Sequence, residues 1–273
     1  MPLFLCFAAV AFLCVFPLCL FLFHLGPGLS LLAALGAFVL AHALYVSFFG
    51  LVSLFTPRDK PIEKQDRLCR FAVSFTSPLI NFYAGIRAVV TGIEMIPTDT
   101  RFLFVCNHRS MFDPLLTMES LRDYDISFIT KPSNLKIPVA GRVAYAVGYL
   151  PIDRENDRNA LKTILTAADY MKRDVCSIAV YPEGTRSKTK ELLPFHAGCL
   201  KAAQRAKVPI VVAAMSGTER FQKMTVFAGA KVNLDILEVI PAETVCQMRT
   251  DALSNHIREK IQADLDRRER EER

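Results

Sequence analysis

His108 and Asp113 lie five residues apart in the segment VCNHRSMFDPLL (105–116), and this interval restricts how their side chains can meet. In a continuous α-helix, five residues turn the chain by about 500° and leave the two side chains on different faces. In a β-strand, an odd offset places them on opposite faces. An imidazole–carboxylate pair therefore requires a turn between the two residues. Asp113-Pro114 favours one, because aspartate is a good N-cap and proline is preferred at the first helical position.

A carboxylate at a helix start can reach back to His108, and that pairing would produce a general base. An aspartate bound to one ring nitrogen selects the tautomer and leaves the other nitrogen free to accept a proton. Taken alone, the interval favours the other interpretation, in which Asp113 only caps its helix and His108 is a solvated loop residue.

A second segment, AVYPEGTRSK (179–188), has the residue types of an anion-binding turn. Gly184 allows the backbone to approach a ligand, and successive N–H groups around it can form an anion-binding nest. Thr185 adds a hydroxyl donor. Arg186 adds a planar guanidinium that matches two phosphate oxygens. An ordinary strand-to-loop turn is the alternative for this segment alone.

Two further cations, Lys131 and Arg154, each follow an apolar run within residues 128–154. If both runs are strands of one sheet, the two side chains can point into the same crevice. Surface basic residues beside ordinary turns are the alternative interpretation.

The elements that would position these residues alternate between short β-branched runs and helical stretches. This alternation predicts an α/β layered domain with a largely parallel central sheet flanked by helices, whose ligand crevice lies at the carboxyl ends of the strands. The predicted strands are Arg87–Gly92, Phe102–Cys106, Ile126–Thr130, Cys176–Tyr181, Ile210–Met215 and Val232–Val239. The predicted helices are an interfacial helix within residues 62–85, then Asp113–Leu121, Asp157–Arg173, Ala197–Ala206 and Ala242–Arg268.

The first 57 residues carry no Lys, Arg, Asp or Glu and contain two apolar runs, Pro2–Leu25 and Leu29–Thr56. Each exceeds the ~20 residues that cross a hydrocarbon core as a helix. They predict an N-terminal hydrophobic two-helix membrane anchor (1–57), spanning or half-immersed, before a catalytic domain (58–273). A cleaved signal peptide does not fit, because no basic residue precedes the first run and a second run follows it.

Basic residues follow the second apolar run, and they predict which side of the membrane holds the body of the protein. By the positive-inside tendency this is the cytoplasmic face, of a bacterial inner membrane or the endoplasmic reticulum. The net charge of +6 fits lipid headgroups and phosphate better than nucleic acid, since no basic stripe is interleaved with aromatic residues. The basic residues that follow the second apolar run are Arg58, Lys60, Lys64, Arg67 and Arg70.

The eight cysteines are scattered along the chain and form no CxxC pair, which suits a reducing compartment.

Taken together and in order, four blocks closely resemble the motifs of the glycerolipid acyltransferases, and among these the 1-acylglycerol-3-phosphate acyltransferases. The blocks are NHRSMFD, the segment ending in PIDR, PEGTRS and VPIVVAAM, within roughly residues 85–220. The resemblance implies that His108 is the general base and that Asp113 orients it. It implies that the acceptor's phosphate is bound by Arg154, Glu183, Gly184, Thr185 and Arg186, with Lys131 as a further ligand. The chain departs from the family at His196 (usually Lys), Pro151 (usually bulky and apolar) and Val212 (usually Pro).

The resemblance also implies a reaction: transfer of a fatty acyl group from acyl-CoA, or acyl carrier protein, to 1-acylglycerol 3-phosphate. The product is phosphatidic acid, the partners are membrane lipids, and neither cofactor nor metal is expected. Another lysophospholipid or glycerol 3-phosphate is an alternative acceptor. Two other classes stay open: a membrane-anchored lipid hydrolase that uses His108 with Ser110 or Cys106, and a non-catalytic lipid-binding protein.

Overall fold

The computed structural model describes residues 8, 10–55, 61–187, 189, 191–222 and 230–271, and it begins with two apolar helices. Helix α1 (Val10–Leu22) is wound mostly as π-helix. Helix α2 (Pro27–Leu54) starts at Pro27, with Gly26 as its N-cap. Proline suits this first position because its missing N–H would have no partner there.

Only α2, among the described residues, is long and apolar enough to cross a membrane, with 28 residues and a mean hydropathy of 2.1. Helix α1 is apolar but shorter than the ~20 residues a span requires. The predicted two-helix anchor is therefore matched by two apolar helices, of which one has spanning length. The predicted boundary at residue 57 lies outside the described residues, as do residues 1–7, Arg58 and Lys60.

Helix α2 packs on α3 (Arg67–Tyr83), the helix predicted within residues 62–85. The hydroxyl of Tyr45 lies 2.8 Å from Thr76 Oγ1, and that of Tyr83 lies 3.0 Å from His42 Nε2. Phe49 of α2 is buried in a small core with residues of α3 and α5 (Ala140–Ala146). The apolar N-terminal segment is therefore docked on the body rather than joined only by a linker.

The body is built on a sheet with the strand order β1-β7-β6-β2-β5-β3-β4 across the described residues. Every neighbouring pair described is parallel except β6 with β7. The strands are β1 (Ile86–Thr91), β2 (Leu103–Cys106), β3 (Ile126–Thr130), β4 (Leu150–Pro151), β5 (Ser177–Val180), β6 (Ile210–Ser216) and β7 (Ala230–Ile240).

Strand β2 shows why this sheet has a core on each face. Alternate side chains of a strand point to opposite faces. Leu103 and Val105 join the core beneath α6 (Asp157–Lys172), α7 (Lys201–Ala206) and α9 (Thr250–Glu271). Phe104 and Cys106 join the core beneath α4 (Asp113–Ser120). Strands covered on both faces are mainly apolar, as β2, β5 and β6 are apart from Ser177 and Ser216. The predicted layered, largely parallel fold is confirmed.

Two predicted helices differ from the structure, and two short elements had no prediction. The helix predicted over Ala242–Arg268 is divided into α8 (Ala242–Gln247) and α9, because Met248 is extended and Gln204 Nε2 donates to the carbonyls of Val245 and Met248. The helix predicted over Ala197–Ala206 begins as a 3-10 turn, Ala197–Leu200. Strand β4 and helix α5 had no prediction, since two and seven residues are too few for a periodic pattern.

Candidate active site

The predicted site residues follow four strands that are neighbours in the sheet. Strands β2, β5, β3 and β4 are adjacent and parallel, so their carboxyl ends lie at one edge. His108 follows β2, the PEGTR turn follows β5, Lys131 follows β3 and Arg154 follows β4. The topology thus brings three separate sequence segments to the same edge, where open α/β sheets place their ligand crevices.

His108 and Asp113 form the pair that their spacing suggested. His108 Nδ1 lies 2.7 Å from Asp113 Oδ2, and the Asp113 side chain is fully buried. The same oxygen accepts hydrogen bonds from the backbone N–H groups of Arg109 (2.7 Å) and Ser110 (2.8 Å). Asp113 is the first residue of α4 rather than its N-cap, which is Phe112. The carboxylate therefore reaches back across the turn and holds both the ring and the loop.

The His108 ring is held on its edge and on its face. Tyr181 stacks on it, with ring centroids 4.4 Å apart and an interplanar angle of 18°. The Tyr181 hydroxyl lies 3.1 Å from Thr117 Oγ1, in the helix that Asp113 begins. The His108 side chain is 18% exposed, and no described residue forms a hydrogen bond with its Nε2. Nε2 is therefore the ring nitrogen open to a ligand.

Glu183 is buried and connects two loops through backbone amides. Its Oε1 accepts a hydrogen bond from His108 N–H at 2.6 Å, and its Oε2 accepts one from Leu193 N–H at 2.9 Å. Burial raises the pKa of the Glu183 carboxyl, while these hydrogen bonds and the nearby Arg109 oppose the rise. Ser187 N–H also donates to the His108 carbonyl at 2.8 Å. Both oxygens of the Glu183 carboxylate are thus bound by backbone N–H groups, and they connect the His108 loop to the loop at Leu193.

Gly184 lies where three segments come together. Its φ is +71°, a conformation that glycine adopts without strain. A Cβ at this position would lie 3.0 Å from His196 Cδ2 and 3.3 Å from Arg154 Nη1. Thr185 and Arg186 follow on the exposed side of the turn.

The cations at this edge lack carboxylate partners. Within the described part of the chain, Lys131, Arg154 and Arg186 have no acidic group at ion-pair distance, and all three are exposed. Partial burial lowers the pKa of the Arg154 guanidinium. Positive charges that are not compensated within the protein favour an anionic ligand.

One protein-family model matches the part of the chain that contains these site residues. Residues 87–216 match the family model described as Acyltransferase. By this match, residues 87–216 are similar to the acyltransferase family, and they are called the acyltransferase domain below. The match includes every predicted site residue, from His108 to Arg186.

Curated proteins that are similar to this chain carry one recurring name. The 1-acyl-sn-glycerol-3-phosphate acyltransferase alpha of Ovis aries is 29% identical over 184 residues, which cover 67% of this chain and 64% of the relative. The beta protein of Homo sapiens is 28% identical, covering 74% and 72%. The Salmonella typhimurium protein of that name is 32% identical, covering 55% and 59%. The chain thus spans slightly less than two thirds of the length of the sheep relative.

A solved structure shares the fold of most of this chain. The crystal structure of the 1-acyl-sn-glycerophosphate acyltransferase PlsC from Thermotoga maritima aligns with a TM-score of 0.62 and 21% identity. The alignment covers 85% of this chain and 92% of that one.

The acyltransferase domain also uses residues that the sequence did not single out. Tyr181 precedes PEGTR, but an aromatic residue at a strand end is equally typical of a core position. Asn107 is buried and exchanges two hydrogen bonds with the backbone of Met215, at 2.9 Å and 2.8 Å, which ties the His108 loop to β6. No local pattern marks either contact, because Asn107 and Met215 are brought together only by the pairing of β2 with β6.

Proposed function

We propose that this chain transfers a fatty acyl group from acyl-CoA or acyl carrier protein to the free hydroxyl of 1-acylglycerol 3-phosphate. The observation that carries the proposal is the His108–Asp113 pair, whose open Nε2 lies at the sheet edge where uncompensated cations follow the neighbouring strands. The names of the curated relatives support the same acceptor.

In the proposed reaction, His108 acts as the general base. Nε2 removes the proton from the acceptor hydroxyl as its oxygen attacks the thioester carbonyl, and the C–S bond breaks as the tetrahedral intermediate collapses. The proton on Nε2 then passes to the leaving thiolate. The buried Asp113 carboxylate keeps the proton of the neutral ring on Nδ1 and stabilises the imidazolium. A positioned base contributes about 10²–10⁴ in rate, and holding both substrates together contributes more.

The acceptor's phosphate would bind at the cations of the same edge. Arg186 and Arg154 can donate paired N–H groups to phosphate oxygens, Thr185 can donate its hydroxyl, and Lys131 can add a further charge. Glu183 would not contact the phosphate but would position His108 through the hydrogen bond from its backbone N–H. The reaction needs no cofactor, because the thioester already supplies an activated acyl group.

The apolar N-terminal helices would anchor the enzyme in the membrane that contains its lipid substrates. Acceptor and product are membrane lipids, and α2 has the length and hydropathy to anchor the chain in a bilayer. Lys64 and Arg67 would then place the domain on the cytoplasmic face. Arg70 is occupied within the body, since its guanidinium donates to the carbonyls of Ile126, Arg122 and Tyr124.

The surroundings of the two candidate nucleophiles disfavour the hydrolase. Cys106 is fully buried, and burial raises the pKa of its thiol well above the ordinary range. A reactive cysteine requires the opposite shift. Ser110 is 1% exposed, and its backbone N–H donates to Asp113, on the side of the pair away from the open Nε2.

The test is an acyl-transfer assay with the purified, detergent-solubilised protein. Oleoyl-CoA would be supplied with 1-acylglycerol 3-phosphate, glycerol 3-phosphate or lysophosphatidylcholine, and thiol release would be followed. We expect release only with 1-acylglycerol 3-phosphate, and its loss in His108→Ala and Arg186→Ala. Arg205→Ala, at an exposed position of α7, is the matched control. Variants would be compared by circular dichroism to establish that they fold.

The other outcomes identify the alternatives. Thiol release without any acceptor, abolished by Cys106→Ala or Ser110→Ala, would establish the hydrolase. Turnover only with acyl carrier protein would show that the acyl donor is acyl carrier protein and not acyl-CoA. The proposed acyl transfer would stand. Absence of turnover with either donor and every acceptor would reject the proposed reaction and leave the non-catalytic lipid-binding protein as the alternative to test.

A further inference from the structure

We propose that His196 binds the acceptor's phosphate beside Arg154, and that the charge of its imidazole makes acceptor binding depend on pH. The inference rests on the proposed function, because it names a further ligand of the same phosphate.

The position of His196 is set by the turn that carries Gly184. His196 N–H donates to the carbonyl of Pro182 at 2.8 Å, so the residue is tied to the start of the PEGTR segment. Its Cδ2 and Nε2 lie 3.0 Å and 3.3 Å from where a Gly184 Cβ would be, and Arg154 Nη1 is 3.3 Å from the same point. The absence of a side chain on Gly184 therefore leaves space that an imidazole and a guanidinium both border.

The imidazole of His196 is exposed, and nothing in the described part of the chain binds it. Arg154, from the loop after β4, borders the same space, and Glu183 and Arg186 belong to the turn after β5 that carries Gly184. Both Glu183 oxygens accept backbone N–H groups, those of His108 and Leu193. Protonation of His196 would thus add a positive charge beside Arg154, which no described carboxylate compensates. A phosphate with two negative charges relieves that repulsion.

Histidine differs from the neighbouring arginines in being able to lose its charge near neutral pH. The unperturbed imidazole changes charge between about pH 5 and 8, whereas a guanidinium stays charged. A protonated imidazole makes a charge-assisted hydrogen bond to phosphate, and a neutral one makes a weaker bond. Acceptor binding should therefore weaken as pH rises, relative to an enzyme with a permanent cation at this position.

The experiment compares the KM for 1-acylglycerol 3-phosphate across about pH 5.5–8.5 in the full-length wild type, His196→Lys and His196→Gln. Every other group whose charge changes with pH, including the acceptor's phosphate, is common to all three proteins, so the ratio of KM values isolates His196. We expect wild type to match His196→Lys at the acidic end and to exceed its KM by about five- to tenfold at the alkaline end. His196→Gln should keep the higher KM throughout, and kcat should change little.

Two controls determine whether the effect belongs to this site and this ligand. His256→Lys makes the same substitution beside Glu238, which lies 2.9 Å from His256 on the opposite part of the sheet, and its KM profile should follow wild type. The KM for oleoyl-CoA should be unchanged in every variant. A shift in the KM for oleoyl-CoA in place of the acceptor would assign the bound phosphate to the donor and overturn the proposal.

Identical pH profiles for wild type and His196→Lys, with turnover intact, would overturn the inference and leave the proposed function standing. Absence of turnover in the wild type would instead reject the proposed function. If His196→Lys does not fold, equilibrium binding of an acceptor analogue that lacks the free hydroxyl replaces it. Wild type should then bind the analogue more tightly than His196→Gln at acidic pH only, and equal binding would overturn the inference.

Discussion

Tyr181 and His108 lie ring on ring, with centroids 4.4 Å apart and planes inclined by 18°. Asp113 holds the same imidazole by its edge, so the ring has little freedom to rotate away from the orientation that exposes Nε2. The two supports come from different segments, Tyr181 from the end of β5 and Asp113 from the start of α4, and the contact between Tyr181 and Thr117 connects them.

Replacing Tyr181 should test the value of the stacking. Tyr181→Leu removes the aromatic contact, whose loss is worth about two- to tenfold, and we expect kcat to fall by that factor with the KM for the acceptor unchanged. Tyr181→Phe keeps the ring and loses only the contact with Thr117, so it should retain most of the activity. A rise in the KM for the acceptor with kcat preserved would show that Tyr181 contacts substrate instead.

Glu183→Gln should weaken both the fold and the reaction. Each carboxylate oxygen accepts one backbone N–H, but an amide side chain has a single acceptor oxygen, so one amide donor would lose its partner. We expect the free energy of unfolding to fall by about 1–3 kcal/mol and kcat to fall with it. Glu191→Gln, at an exposed position nearby, is the control in thermal unfolding and in the assay. Unchanged stability in Glu183→Gln would contradict the anchoring role.

Asp235 should make stability depend on acid pH. Burial alone would raise its pKa, but hydrogen bonds from Arg268 and Thr91 outweigh burial and hold the pKa below its ordinary value. A carboxyl with a lowered pKa in the folded state contributes stability above its unfolded pKa of about 3.9, and loses it as pH falls through the folded value. Asp235→Asn should therefore unfold at a lower temperature than wild type at neutral pH, by about 1–3 kcal/mol in free energy.

The difference between Asp235→Asn and wild type should shrink as pH falls below about 4. Thermal unfolding in detergent across that range provides the measurement. Asp264, whose pKa burial raises, titrates in both proteins and largely cancels in the comparison. A difference that stays constant down to the lowest pH would mean that the ion pair with Arg268 does not contribute.

Deleting residues 1–56 should separate the fold from membrane access. The deletion removes α2 and exposes the surface of α3 that Tyr45 and Phe49 cover. We expect a protein that is soluble or aggregated and only weakly active on acceptor in vesicles. Full activity of the deletion protein on vesicles would argue against mooring by the N-terminal helices, and activity on detergent-dispersed acceptor serves as the control.

Much of this protein could be predicted from local sequence. The apolar runs of β2, β5 and β6 were recognisable because a strand covered on both faces needs mainly apolar side chains. The meeting of His108 with Asp113 was predictable because both belong to one turn, where a short interval and a helix start limit the geometry.

Only the tertiary structure decided which distant residues meet. Glu183 binds the backbone of a residue 75 positions earlier, and Tyr181 stacks on the same loop, because β5 lies beside β2. The break between α8 and α9 depends on Gln204, about 40 residues away. Periodicity and capping depend on residues within a few turns of chain, whereas strand order is set by the packing of the whole sheet. The sequence could therefore predict where strands end, but not which strands lie side by side.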